Sequence, residues 1–118
     1  MAAPNIVNVT TITGITTFKA GIAVTTGGSN ILIGFEAGKA LTTQSQNVVI
    51  GYQALLSGTS STNTAIGLYS LKVATANYNV AVGRLSGWTV SSGQQNTILG
   101  ADAGRLTTTG SNNIIIGY

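Results

Sequence analysis

The sequence predicts an all-β protein: a parallel β-roll or β-solenoid of 16–17-residue coils, with a β segment at its N-terminus. Three observations predict it. A five-residue core of Asn, two apolar or Thr residues, a branched aliphatic and Gly occurs six times between Asn30 and Tyr118. The copies follow one another at steps of 17, 16, 16, 17 and 17 residues. A unit of that length has room for a short strand, a Gly and a Thr/Ser/Gly turn. It has no room for the helix pairs of helical repeats, which need roughly 33 residues or more.

Two regions follow. Residues 1–29 form an N-terminal β segment, and residues 30–118 form the repeat domain, with coils starting at Asn30, Asn47, Asn63, Asn79, Asn96 and Asn113. Within the first region, residues 5–26 read as strands. Ile6, Val7, Val9, Ile12, Ile15, Phe18, Ile22 and Val24 are mixed with Thr and Asn, and Gly14 and Gly21 punctuate the run. The segment lacks the repeat. Two roles suit it: an arm that attaches to another protein, or a cap over the first turn of the array, which repeat proteins generally need.

Each coil opens on a polar turn, such as Gly27-Gly28-Ser29 or Gly110-Ser111-Asn112. The aliphatic triplet that follows the Asn favours a strand. The residue before the Gly is always aliphatic (Ile33, Ile50, Ile66, Val82, Leu99 and Ile116), and this column is expected to stack inside the core. The Gly column itself, Gly34, Gly51, Gly67, Gly83, Gly100 and Gly117, marks a place where no side chain fits or where φ is positive. Three residues further on comes a small column, Ala37, Ala54, Ser70, Ser86 and Ala103. Next to it stand Gly38, Leu55, Leu71, Gly87 and Gly104, where small residues allow backbone to approach backbone. The Asn column has two readings. Its side chains can form an amide ladder between coils, as in cross-β stacks, or each Asn can simply be a turn former.

Composition narrows the function. The 118 residues are 43% hydrophobic and only 6% charged, against roughly 25% charged in an ordinary globular chain. Much of the surface is therefore expected to lie against other chains or under Thr, Ser, Asn and Gln. A thin roll of five coils buries little surface alone. Closed, symmetric homo-oligomers are the usual answer. The net charge of +3 comes from scattered Lys19, Lys39, Lys72, Arg84 and Arg105 and reflects a scarcity of acids. That is not the clustered patch of a nucleic-acid binder. No stretch has the roughly 18 apolar residues of a membrane span, and Met1-Ala2-Ala3-Pro4-Asn5 does not open like a secretory signal. Assembly in the cytoplasm is the expectation.

No enzyme is expected. The sequence has no His or Cys, hence neither an ordinary triad base nor a thiolate metal site. No cofactor, metal or catalytic residue is assigned. Glu36 and Asp102, the two acids, both fall six residues after a coil Asn, four coils apart. At about 4.8 Å per coil that is about 19 Å, too far for a pair of glycosidase carboxylates, which stand roughly 5 to 9.5 Å apart. Each acid has a cation three residues on, Lys39 and Arg105, and these read as surface pairs worth about 0–1 kcal/mol. The candidate contact residues are aromatic. Phe35, Tyr52 and Tyr118 follow the repeat Gly, and Trp88 stands where three other units carry Lys or Arg. They suit either a strip that stacks on a glycan or protein receptor, or packing between chains.

The Asn-x-x-Ile-Gly-x-x-Ala/Ser pattern resembles the head repeats of trimeric autotransporter adhesins. Related repeats occur in bacteriophage tail-fibre and other virion fibre proteins. The matching positions are the six Asn-to-Gly cores and the Ala or Ser at 37, 54, 70, 86 and 103, so the resemblance covers residues 30–118. It implies left-handed parallel β-rolls, three chains around one axis, and hence a homotrimer. An adhesin would carry a signal peptide and a membrane-anchoring C-terminal barrel, and neither is seen here. The resemblance therefore implies a phage virion protein: a short trimeric fibre or decoration element bound to other virion proteins through residues 5–26, with a host-surface glycan or protein as a further partner. Two rivals are weighed. One is a bacterial surface adhesin fragment or carbohydrate-binding module. The other is an ice-binding solenoid, against which Ser60, Ala76 and Ser91 interrupt the Thr-rich turns.

Overall fold

The computed structural model describes residues 27–118, so the strands expected over residues 5–26, and all of the N-terminal segment except residues 27–29, lie outside the described residues. Residues 30–118 form a parallel β-solenoid. Its six strands are β1 (Ile31–Ile33), β2 (Val48–Ile50), β3 (Thr64–Ile66), β4 (Val80–Val82), β5 (Thr97–Leu99) and β6 (Ile114–Ile116). They make one parallel sheet in chain order, each strand in the register of the repeat: Ile31 opposite Val48, Val48 opposite Thr64, and so on to Thr97 opposite Ile114.

The column before the Gly lies outside the core, contrary to expectation. In each of β1 to β5 the middle residue is buried and its two neighbours are half-buried or exposed. Leu32, Val49, Ala65, Ala81 and Ile98 thus point inward, while Ile33 and Leu99 face out. The reason is the period of two along a strand. A three-residue strand sends only one side chain to each coil's interior, and the middle one is chosen.

After each strand the chain turns sharply. In the first coil, hydrogen bonds run from Ala37 N to the Gly34 carbonyl, Lys39 N to Glu36 and Leu41 N to Gly38. These are three overlapping four-residue turns. The third residues of the first two have positive φ, Glu36 at 54° and Gly38 at 62°, as a type II turn requires. The Gly after the strand is needed for space as well. A Cβ on Gly34 would lie 2.5 Å from the carbonyl oxygen of Gly51 in the next coil, and one on Gly51 would lie 2.5 Å from that of Gly67.

The interior is a thin stack filled by complementary volumes. Counted from the Asn, residues two, eight and eleven positions on point inward. They read Leu32/Gly38/Leu41, Val49/Leu55/Gly58, Ala65/Leu71/Ala74 and Ala81/Gly87/Val90 in successive coils. Leu55 stands with Gly58, and Leu71 with Ala65 and Ala74, whereas Leu32 and Leu41 flank Gly38. The small column completes the packing: Ala37, Ala54, Ser70, Ser86 and Ala103 are all buried, and Ser70 and Ser86 share a hydrogen bond of 3.0 Å between hydroxyls.

Candidate functional site

The Asn column forms a ladder through the core. The backbone N–H of Asn47, Asn63, Asn79, Asn96 and Asn113 each donates to the Oδ1 of the preceding coil's Asn, at 2.8–3.1 Å. The amide nitrogens brace the coil ends. Asn30 Nδ2 donates to the Gln44 carbonyl, Asn47 Nδ2 to Ser60, Asn79 Nδ2 to Gly93 and Asn96 Nδ2 to Gly110. Asn47, Asn63, Asn79 and Asn96 are fully buried, and no buried side-chain polar atom among the described residues lacks a partner. A short side chain with one acceptor and two donors suits this place. It takes an N–H from one neighbouring coil and closes its own coil with the other end.

Three different surfaces surround this core. The first is the outward face of the sheet. Its two columns are Ile31, Val48, Thr64, Val80, Thr97 and Ile114, and Ile33, Ile50, Ile66, Val82, Leu99 and Ile116. None carries a charge. Ile31 is 51% exposed and Leu99 47%.

The second surface carries hydroxyls. Twelve residues after its Asn each full coil has Thr42, Thr59, Thr75, Ser91 or Thr108, and Ser60 and Ala76 stand one position later, so the hydroxyl column is unbroken. These hydroxyls are partly engaged within the fold. Thr75 Oγ1 donates to the Ser91 carbonyl at 3.0 Å, and Ser91 Oγ to that of Thr108 at 3.1 Å.

The third surface is the turn after the strand, and it gathers the chemistry. Every charged residue among the described ones lies there: Glu36, Lys39, Lys72, Arg84, Asp102 and Arg105. Four of the basic residues that look scattered in sequence, Lys39, Lys72, Arg84 and Arg105, are brought to one edge of the roll. Both expected pairs are present, Lys39 Nζ to Glu36 Oε1 at 2.6 Å and Arg105 Nη1 to Asp102 Oδ1 at 3.4 Å. A third, Arg84 to Asp102, joins neighbouring coils and was not foreseen. The two residues are 18 apart, so only the coil register reveals the pair. Glu36 also accepts from Gln53 Nε2 at 2.6 Å. The hydrogen bonds from Lys39 and then Gln53 hold its carboxyl below its ordinary range, with desolvation opposing them.

Three of the aromatic candidates, Phe35, Tyr52 and Trp88, share this edge. Phe35 and Tyr52 stack with ring centres 5.3 Å apart, and Tyr52 meets Tyr69 edge to face at 5.6 Å. Tyr69 was missed in sequence because it sits one position later in its coil than Phe35 and Tyr52. Trp88 is half-buried between two cations, Lys72 Nζ at 5.9 Å and Arg105 Cζ at 4.9 Å from its ring centre, and Lys72 Nζ lies 4.7 Å from the Tyr69 ring. These rings are thus tied to neighbours along the stack. Tyr118 stands apart, 95% exposed.

Fold and surfaces define a parallel β-solenoid repeat protein whose three faces are apolar, hydroxyl-bearing and charged. No family model, curated protein or solved structure matches the chain.

Proposed function

We propose that this is a non-enzymatic structural protein of a bacteriophage particle. In this reading it is a short homotrimeric fibre or decoration element, assembled in the host cytoplasm and held to the virion through residues 5–26. The observation that carries it is the outward face of the sheet. That face runs through all six strands, about 24 Å at about 4.8 Å per strand, and every position on it is aliphatic except Thr64 and Thr97. Soluble monomers rarely expose large contiguous apolar patches, whereas permanent oligomers bury them at apolar interfaces. Three rolls meeting on this face would cover it and leave the charged edge outside. The number three follows from the resemblance to fibre repeats.

The rest of the chain supports a mechanical role. The coils are locked by a buried amide ladder, and both acidic side chains among the described residues are tied into surface ion pairs. Many copies on one particle would make weak contacts with a host surface add up to firm attachment.

The test is the mass of the full chain in solution. One chain weighs 11.9 kDa, and the expected species is three times that. Ile66→Lys with Val82→Lys should yield single chains that keep their β-sheet signal. A monomeric parent chain would remove the oligomer. Absence of the chain from purified particles, judged by quantitative mass spectrometry, would remove the virion role.

A further inference from the structure

We propose that the charged edge of the roll binds a linear acidic polysaccharide carrying one anionic group per disaccharide, laid along the stacking axis. The proposal deepens the surface-contact part of the reading above and rests on that reading for an edge that faces outward. The position nine residues after each coil Asn is occupied, coil by coil, by Lys39, Leu56, Lys72, Trp88 and Arg105. Cations thus stand on the first, third and fifth coils, and an apolar or aromatic residue stands on each coil between. At about 4.8 Å per coil the cations repeat every ~10 Å.

That period suits a polysaccharide whose charge returns at every second sugar, with Leu56 and Trp88 lying under the sugars between. It does not suit a nucleic acid, whose phosphates recur about every 3.4 Å along each strand. The column is accessible: the side chains of Lys39 and Arg105 are 57% and 45% exposed. It is also positive. Lys72 makes no ion pair with a carboxylate among the described residues, its ammonium resting over Tyr69 and Trp88. Trp88 is held between Lys72 and Arg105, so the central cations and the ring are positioned before any ligand arrives. Such preorganisation lowers the ordering cost of binding.

The experiment titrates the full chain with hyaluronan oligosaccharides, which carry one carboxylate per disaccharide, and with neutral dextran and duplex DNA for comparison. Hyaluronan should bind at low salt and weaken steeply toward about 0.15 M, as surface charge contacts do; dextran should not bind, and DNA should bind more weakly. Lys72→Gln should weaken hyaluronan about fivefold or more, a rim-charge effect. Asp102→Asn, which frees Arg105 from a carboxylate, should tighten it. Circular dichroism on each variant separates lost binding from lost folding. Equal binding of dextran or DNA, no binding of hyaluronan at low salt, or unchanged binding by folded Lys72→Gln would overturn the proposal. Particle association and oligomer mass are read separately, so failure here leaves the structural role standing.

Discussion

Leu55 fills the space that a side chain on Gly58 would need. A Cβ on Gly58 would lie 2.6 Å from Leu55 Cγ and 2.8 Å from the Ala74 carbonyl oxygen. The relationship is reversed elsewhere. In the first coil Gly38 replaces the Leu, and a Cβ there would strike Leu32 and Leu41, the enlarged partners, at 2.8 and 2.9 Å. In these two coils a bulky side chain at one of the three positions is matched by a Gly at another.

Gly58→Ala should therefore destabilise the roll by about 1–3 kcal/mol, the usual cost of overpacking. In a Leu55→Ala background the same change should cost less, because most of the atoms it strikes are gone; the Ala74 carbonyl contact keeps the relief partial. Denaturant melts of the four proteins in this cycle measure the coupling. Strictly additive effects would contradict shared volume.

The ladder makes a second prediction, graded along the axis. Asn79→Ala removes the acceptor for the backbone N–H and the Nδ2 of Asn96, and the donor to the Gly93 carbonyl. These groups are buried, so the loss should be about 2–5 kcal/mol. Asn113→Ala removes one bond, its Nδ2 to Asn96 Oδ1, at a part-buried site, and should cost about 1 kcal/mol or less. Equal effects at the two positions, in chemical denaturation, would mean that the column acts only as turn former.

Backbone strain supplies a third. Thr62 has φ +60° immediately before a ladder Asn, a conformation that β-branched residues strongly resist. Thr62→Gly should stabilise by about 0.5–1 kcal/mol, the relief of a left-handed residue less the extra freedom of Gly when unfolded. The readout is a melting temperature higher by several degrees. No gain would show that the turn tolerates Thr without cost.

Acid should loosen the first turn. Because hydrogen bonds from Lys39 and Gln53 lower the folded-state pKa of Glu36, its contribution is fully present above the carboxyl's ordinary unfolded value. It is lost as pH falls through the lowered one. Stability measured from neutral toward acidic pH should fall there, and Glu36→Gln should show a shallower decline. Superimposable profiles for parent and variant would remove Glu36 from the account.

Much of this architecture was legible in the chain. Six Asn-to-Gly cores at nearly constant spacing determine a stacked parallel strand, because identical segments pair best with themselves in register. The ion pairs Glu36–Lys39 and Asp102–Arg105 were readable too, since they are three residues apart within one turn. What only the tertiary structure decided is direction across space. A triplet such as Ile31-Leu32-Ile33 is apolar throughout, so its letters do not say which residue faces in. The closing of the coil chooses Leu32 and turns Ile33 toward the surface. The same closing brings Arg84 to Asp102, sets Trp88 between Lys72 and Arg105, and collects scattered charges on a single edge. Such contacts depend on how one coil lies over the next, a relation that no local stretch of sequence contains.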